Sequence, residues 1–347
     1  MLFNEDLSSL RTLSLGGVIT HLPWRNLWNL TTFDLRCPPD NRIAVINLLN
    51  FLESAPHLKD ITLRHSIPRT SNACSSRVVC LPHLKNLTIF GDPVHATLLD
   101  HLSIPEGASL VLDFDFSGGE SPLPNCLPKT VKNLKNLFRV TTVNLCFAKR
   151  EKFMHLVGPS GRLDIFGHWE REVGTSVFPS LDLFGCVDRR ILQSLNYFSL
   201  HMTRRLAVTK YEPPPRVDNK CHPRCILLLM KDLRTLILTQ CFNLPFIFVL
   251  DPDHPGHHPL KGVPCPNLEE LVLYIEAWDA FNIPELVSMA KHRASKGAKL
   301  RSITIVGLGE LVPGREVFKL REHVTHLEYR FEGNPPKWDS IPNDESG

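Results

Sequence analysis

The chain has 347 residues, of which 43% are hydrophobic and 22% charged, and a formal net charge of +3. That balance is ordinary for a folded protein and too weakly basic to mark a nucleic-acid surface. Its opening, Met1-Leu2-Phe3-Asn4-Glu5-Asp6, has acids where a secretion signal needs basic residues. Its apolar runs, Cys225 to Met230 and Phe246 to Leu250, fall far short of the ~20 residues that span a bilayer.

One phrase recurs along the chain. Leu10-Arg11-Thr12-Leu13-Ser14-Leu15 comes first, and Leu30 to Leu35 is a weaker copy. Arg42 to Ser54 carries Ile, Val, Leu and Phe at helical spacing and predicts a helix. Pro56-His57-Leu58-Lys59-Asp60-Ile61-Thr62-Leu63 follows. Pro82-His83-Leu84-Lys85-Asn86-Leu87-Thr88-Ile89 repeats it almost position for position. The middle, about Gly118 to Asn219, is the least regular part, with Phe178-Pro179-Ser180-Leu181-Asp182-Leu183 as a candidate strand and Leu195 to Leu200 as another weak copy. A loop is expected from Tyr211 to Pro223, around Pro213-Pro214-Pro215. The phrase returns as Leu233-Arg234-Thr235-Leu236-Ile237-Leu238 and, after a second loop from Asp251 to Pro266, as Pro266-Asn267-Leu268-Glu269-Glu270-Leu271-Val272-Leu273. Ile283 to Lys296 predicts a helix. Asn282 and Glu285 form its capping box, Lys291, His292, Arg293 and Lys296 suit its negative end, and Gly297 closes it. Leu300 to Ile305 and Val324 to Tyr329 complete the series, and Gly333 to Gly347 reads as a disordered tail.

Three given positions are all apolar by chance about 8% of the time at this hydrophobic content, so the apolar skeleton alone is weak. The recurring Pro, the polar residues between the apolar ones and the repeated Leu-Arg-Thr-Leu carry the signal. The end of each phrase alternates apolar and polar, which suits a strand with one buried face, and the Pro fits the start of that strand. Strand followed by helix, repeated, is the leucine-rich-repeat unit. The first apolar positions stand at 10, 30, 58 and 84, and later at 233, 268, 300 and 324, so the steps are uneven. The expected fold is α/β: an irregular leucine-rich-repeat-like solenoid over 1–332, with insertions near 118–219 and 251–266. Parallel strands line its concave face, and helices and loops its convex face. Leu63, Leu87, Leu236, Leu271 and Ile303 are expected to be buried.

Chemistry is sparse. Asp251, Asp253, His254, His257 and His258 are the most ligand-like group, but they sit in a Pro-rich loop without metal-specific spacing. Cys221-His222-Pro223-Arg224-Cys225 lacks the second pair that a structural zinc needs. Ten scattered cysteines do not make a disulfide scaffold, so reduced thiols and a cytoplasmic or nuclear location are expected. Gly307-Leu308-Gly309 has Val312 where a dinucleotide fingerprint needs its third glycine. No enzyme, cofactor or metal is expected; an unrecognised site near His254 is the minor alternative.

Leu58 to Leu63, Ser103-Ile104-Pro105-Glu106-Gly107-Ala108, and the run from Cys265-Pro266-Asn267-Leu268 through Gly297-Ala298-Lys299-Leu300 to Phe318-Lys319-Leu320-Arg321 resemble the repeat region of fungal, basidiomycete-type F-box proteins. The resemblance covers most of the chain and is best from Leu233 to Arg330. It implies a substrate-receptor-like part of a ubiquitin ligase. The F-box itself is missing ahead of Leu10, so a Skp-type adaptor is not expected, and a stand-alone repeat scaffold is the alternative. The partner is expected to be a protein, with neither nucleic acid nor membrane involved. If Leu58, Ile61 and Leu63 point inward, Asp60 and Thr62 point out, with Lys59 at the rim. The same register presents Asn86 and Thr88, Thr235 and Ile237, Glu270 and Val272, and Ser302 and Thr304, with Lys59, Lys85, Arg234 and Glu270 supplying charge. The contact residues are therefore expected to be Lys59, Asp60, Lys85, Asn86, Arg234 and Glu270.

Overall fold

The structure, a computed structural model, describes residues 7–17, 27–38, 43–65, 77–115, 133–147, 151–168, 189–202, 223–239, 243–254, 262–275, 283–307 and 315–331. The chain divides into two units, Met1–Asn196 with Thr203–His222, and Tyr197–Met202 with Pro223–Gly347. Each is α/β, built on a mostly parallel sheet that does not close into a barrel.

In the first unit the strands are β1 (Thr12–Gly16), β2 (Thr32–Arg36), β3 (Asp60–Arg64), the short β4 (Val79–Cys80), β5 (Asn86–Gly91), the short β6 (Leu102–Ser103), β7 (Ser109–Asp115), β8 (Thr142–Phe147), β9 (Glu151–Gly158) and β10 (Gly161–His168). Strands β1, β2, β3, β5 and β7 lie side by side, parallel and in chain order. Helix α1 (Val45–Ser54) starts three residues later than Arg42. It buries Val45, Leu48, Leu49, Phe51 and Leu52 on one face. Phe51 meets Phe33 of β2 with ring centroids 4.3 Å apart, so the helix covers the face toward which the apolar strand residues point. Helix α2 (Arg189–Ser194) also belongs to this unit.

In the second unit β11 (Tyr197–Met202), β12 (Thr235–Thr239), β13 (Glu270–Ile275), β14 (Ser302–Gly307) and β15 (His326–Phe331) pair parallel in chain order. Helices α3 (Pro223–Leu229), α4 (Asn243–Leu250) and α5 (Ile283–Ser295) run between them. Gly297, at φ +78°, ends α5: the Ala298 N–H turns back to the Arg293 carbonyl at 3.0 Å, a closure that needs the left-handed conformation at position 297. Leu63, Leu87, Leu236, Leu271 and Ile303 are all buried, as the alternation predicts. Phe178 to Leu183, Asn282, His257, His258, Gly309, residues 211–222 and the tail from 333 lie outside the described residues.

The recurring proline has a different place from the one expected. Pro56, Pro82 and Pro266 stand four residues ahead of β3, β5 and β13, inside tight turns. These turns are closed by Leu58 N–H to Ala55 O (3.3 Å), Leu84 to Leu81 (3.2 Å) and Leu268 to Cys265 (3.0 Å). Proline is favoured at the second position of such a turn because its ring presets the required φ. The phrases without proline make the same turn, as in Leu30 to Leu27 (3.0 Å) and Leu10 to Leu7 (3.0 Å). The repeated unit therefore begins three residues before its first leucine, at a further apolar residue.

Between turn and strand, one carbonyl per phrase receives two N–H groups of the next. Arg11 O takes Thr31 and Thr32, Thr31 O takes Lys59 and Asp60, and Lys59 O takes Lys85 and Asn86. In the second unit Arg234 O takes Glu269 and Glu270, Glu269 O takes Arg301 and Ser302, and Arg301 O takes Thr325 and His326. This backbone joint sets the register of each strand on its neighbour whatever the length of chain between them.

The irregular middle contains β8, β9 and β10, none of which the recurring phrase revealed. β10 pairs parallel with β7, β9 antiparallel with β10, and β8 antiparallel with β9. A hairpin is thus inserted between β7 and β8. Its apolar residues continue the core rows: Leu163 and Ile165 align with Leu110 and Leu112, and Leu156 and Met154 carry the rows on to Val143 and Leu145. The hairpin tip is tightly held. A Cβ at Gly158 would lie 2.0 Å from the Arg139 carbonyl oxygen, and one at Gly161 (φ +135°) 2.5 Å from that of Ala108. Buried Asn136 donates through Nδ2 to Ala108 O (3.2 Å) and Arg162 O (3.3 Å).

Candidate functional site

Strand side chains alternate between faces, so the residues that do not enter the core form rows on the opposite face. In the first unit one row reads Thr12, Thr32, Asp60, Asn86, Ser109, Arg162, Val157, Thr142. The next holds Asp34, Thr62, Thr88, Val111, Asp164, His155 and Asn144, and the third holds Arg36, Arg64, Phe90, Asp113, Phe166 and Phe153. In the second unit Thr235, Glu270, Ser302 and His326 form one row, and Ile237, Val272, Thr304 and Glu328 the next.

The expected contact residues fall in these rows or at their rim. Asp60 and Asn86 are neighbours, with Asn86 Nδ2 donating to Asp60 Oδ1 at 2.7 Å. Lys59 and Lys85 are exposed on adjacent phrases at the backbone joint, one residue before β3 and β5. In the second unit Arg234 is exposed and pairs with Glu269 at 3.6 Å. Glu270 is half-buried and accepts from Thr235 Oγ1 at 3.3 Å. The structure thus brings Lys59, Asp60, Lys85 and Asn86 together, and separately Arg234 and Glu270.

The same face holds groups that the repeat did not predict. His155 Nδ1 is held by Asp164 Oδ1 across the hairpin. Arg162 Nε donates to Ser109 Oγ at 2.9 Å and lies 3.5 Å from Asp164 Oδ2. His168 Nε2 meets Asp113 Oδ1 at 3.1 Å. Phe153 and Phe166 pack with centroids 4.7 Å apart, and the Arg64 guanidinium sits 4.2 Å over the Phe90 ring. Two charged neighbours across strands are visible once strands are paired, but the pairing of an inserted hairpin cannot be read from periodicity.

In the second unit this face is not uniformly open. Ser199, Thr239 and Val306 are buried on it. Burial lowers the His201 pKa to about 4, and it raises that of Tyr197 against a hydrogen bond from Ser199. A histidine held below its unfolded value of ~6.5 stays neutral in the folded chain while the unfolded chain takes up a proton. His201 therefore contributes stability that is present above pH ~6.5 and lost as pH falls toward 4. Denaturant melts at pH 7 and pH 5 are expected to show this loss in the native chain and a smaller one in His201→Gln.

The histidine loop is a structural knot. Asp251 Oδ1 accepts from the Asp253 N–H at 2.9 Å and meets His292 Nδ1 at 2.8 Å, and Asp253 pairs with Lys296 at 3.2 Å. His254 packs on Phe248, with centroids 4.7 Å apart. Buried Arg224 gathers the loop by donating to Asp251 O (3.1 Å), Pro252 O (3.2 Å) and Gly262 O (3.1 Å). Arg293 stands in the last turn of its helix, as expected, and is fully buried there. It donates to Pro264 O (2.6 Å) and Cys265 O (2.8 Å), and burial depresses its pKa. Its spacing from Leu286, Met289 and Ala290, all buried, placed it on the inner face. Burial pushes the Cys265 thiol up to about 12 and so favours its protonated form. Among the described residues no three His, Cys, Asp or Glu side chains converge as metal ligands, and no helix is long and apolar enough to cross a membrane.

Comparison of the chain with protein-family models, with curated proteins and with solved structures finds no match.

Proposed function

We propose that the chain is a protein-binding module, a leucine-rich-repeat-like solenoid that resembles the substrate-holding part of F-box proteins and uses the sheet face opposite its core for recognition. The observation that carries this reading is the register of the strands. Within each unit equivalent positions of successive phrases stand side by side, so in each a surface of mixed polar, charged and apolar side chains rests on an aliphatic core. Such mixed surfaces combine specificity with some gain from desolvation. The rim charges Lys59, Lys85 and Arg234 steer the partner, and Asp60, Asn86 and Glu270 meet it.

Affinity purification with mass spectrometry names the partner. A Skp-type adaptor among the captured proteins supports the ubiquitin-ligase role, and its absence favours a stand-alone scaffold. With the partner in hand, Lys59→Glu, Arg234→Glu and Glu270→Lys are each expected to weaken binding about tenfold, the 1–2 kcal/mol scale of a matched charge contact, without shifting the unfolding midpoint. Normal binding by these variants, with loss on deletion of Asp253 to His258, would transfer recognition to the loop.

A further inference from the structure

In the first unit Phe90 of β5, Asp113 of β7 and Phe166 of β10 are register partners on three adjacent strands and point from the same face. A carboxylate thus stands between two phenyl rings. All three side chains are half-buried: accessible from outside but shielded at their base. At ~4.8 Å per strand the two phenylalanines are roughly 9.6 Å apart at the backbone. A cation midway between them would lie within the ~6 Å reach of a cation–π contact with each ring.

The surroundings state which flat group suits the slot. A phenyl face attracts a cation, and here the Phe90 ring already carries the Arg64 guanidinium at 4.2 Å from the β3 side. The β7 side of that ring carries Asp113. Asp115 is the next outward residue of β7, and Asp164 is on β10 beside Val111. Asp164 is engaged by His155 and Arg162, and Asp113 Oδ1 by His168. An anionic group would meet Asp113 and Asp115. An aliphatic group would bury a carboxylate that His168 engages only through Oδ1. A guanidinium is planar, permanently charged and able to stack and to donate at once, whereas an ammonium offers only a point charge.

We propose that the Phe90–Asp113–Phe166 row is a receptor slot for an arginine side chain of a partner's basic segment, its guanidinium stacked between the rings and donating to the Asp113 carboxylate. This rests on the reading of the face as a protein-binding surface and names the chemistry of what it binds. The pattern lies outside the repeated phrase, because β10, which supplies one wall, belongs to the inserted hairpin.

The test uses the full chain and a short fluorescein-labelled peptide alternating serine and arginine, read by fluorescence anisotropy. Lysine and glutamate counterparts and a labelled single-stranded oligonucleotide serve as comparisons. The arginine peptide is expected to bind tightest. Asp113→Asn, which preserves shape, and Phe166→Leu are each expected to weaken it about tenfold, while Glu106→Gln, an exposed acid ahead of β7, leaves it unchanged. Should Phe166→Leu fail to fold, Asp113→Asn carries the test. Equal weakening by Glu106→Gln, equal binding of the lysine peptide, or tighter binding of the glutamate peptide or the oligonucleotide overturns the slot. A captured partner that is lost with Lys59→Glu but binds Asp113→Asn normally overturns the slot and leaves the protein-binding reading intact.

Discussion

Arg293→Ala is expected to destabilise the second unit by about 3–5 kcal/mol. The side chain is fully buried and its guanidinium donates to the carbonyls of Pro264 and Cys265. Those two carbonyls begin the turn that launches β13, since Cys265 O also accepts the Leu268 N–H. Alanine leaves the guanidinium's place empty and Pro264 O without its donor. Each buried polar group left unpaired costs about 1–3 kcal/mol, and the vacated volume adds to that. Part of the loss is offset because a buried cation no longer needs to be desolvated. Arg293→Met separates the terms. It restores volume but no donors, so a loss of about 1–3 kcal/mol is expected. Urea unfolding followed by circular dichroism reads all three chains. A methionine variant as stable as the native chain would show that the carbonyls do not depend on the arginine.

The second large effect is at the core of β13. Leu271 is fully buried, with Leu236 and Ile303 as its register partners on either side. Leu271→Ala is expected to cost about 2–5 kcal/mol, because close-packed neighbours cannot collapse into the space. The adjacent Glu270→Ala removes one 3.3 Å contact with Thr235 on the half-exposed face and is expected to change stability by less than about 0.5 kcal/mol. Equal losses in denaturant melts would place the strand in the opposite phase.

Strand phase was legible because alternation over Leu58 to Leu63 or Leu268 to Leu273 admits only one choice of buried face. The parallel pairing of these strands in chain order followed from their repetition. The sequence alone therefore groups Asp60, Asn86, Lys59 and Lys85. The slot at Phe90, Asp113 and Phe166 is not legible there. It depends on β10 lying against β7, a pairing set by a hairpin whose strands match no other phrase. Arg293 stands in the last helical turn, as its place in the sequence indicates, but its burial depends on the carbonyls of Pro264 and Cys265 that face it, which the sequence does not reveal. The role of proline was likewise hidden, because a turn residue and a strand-starting residue occupy the same few positions ahead of an alternating run.

The doubled hydrogen bonds at Arg11, Thr31, Lys59, Arg234, Glu269 and Arg301 involve only main-chain atoms. Nothing in that joint constrains which side chain stands there or how many residues separate one joint from the next. Steps of 20, 28, 26, 35, 32 and 24 residues are then tolerated equally. During gene duplication such a chain can gain or lose segments between joints, and exchange rim residues freely, while each new strand still docks in register. The side chains of the surface are thereby less constrained than the architecture that carries them.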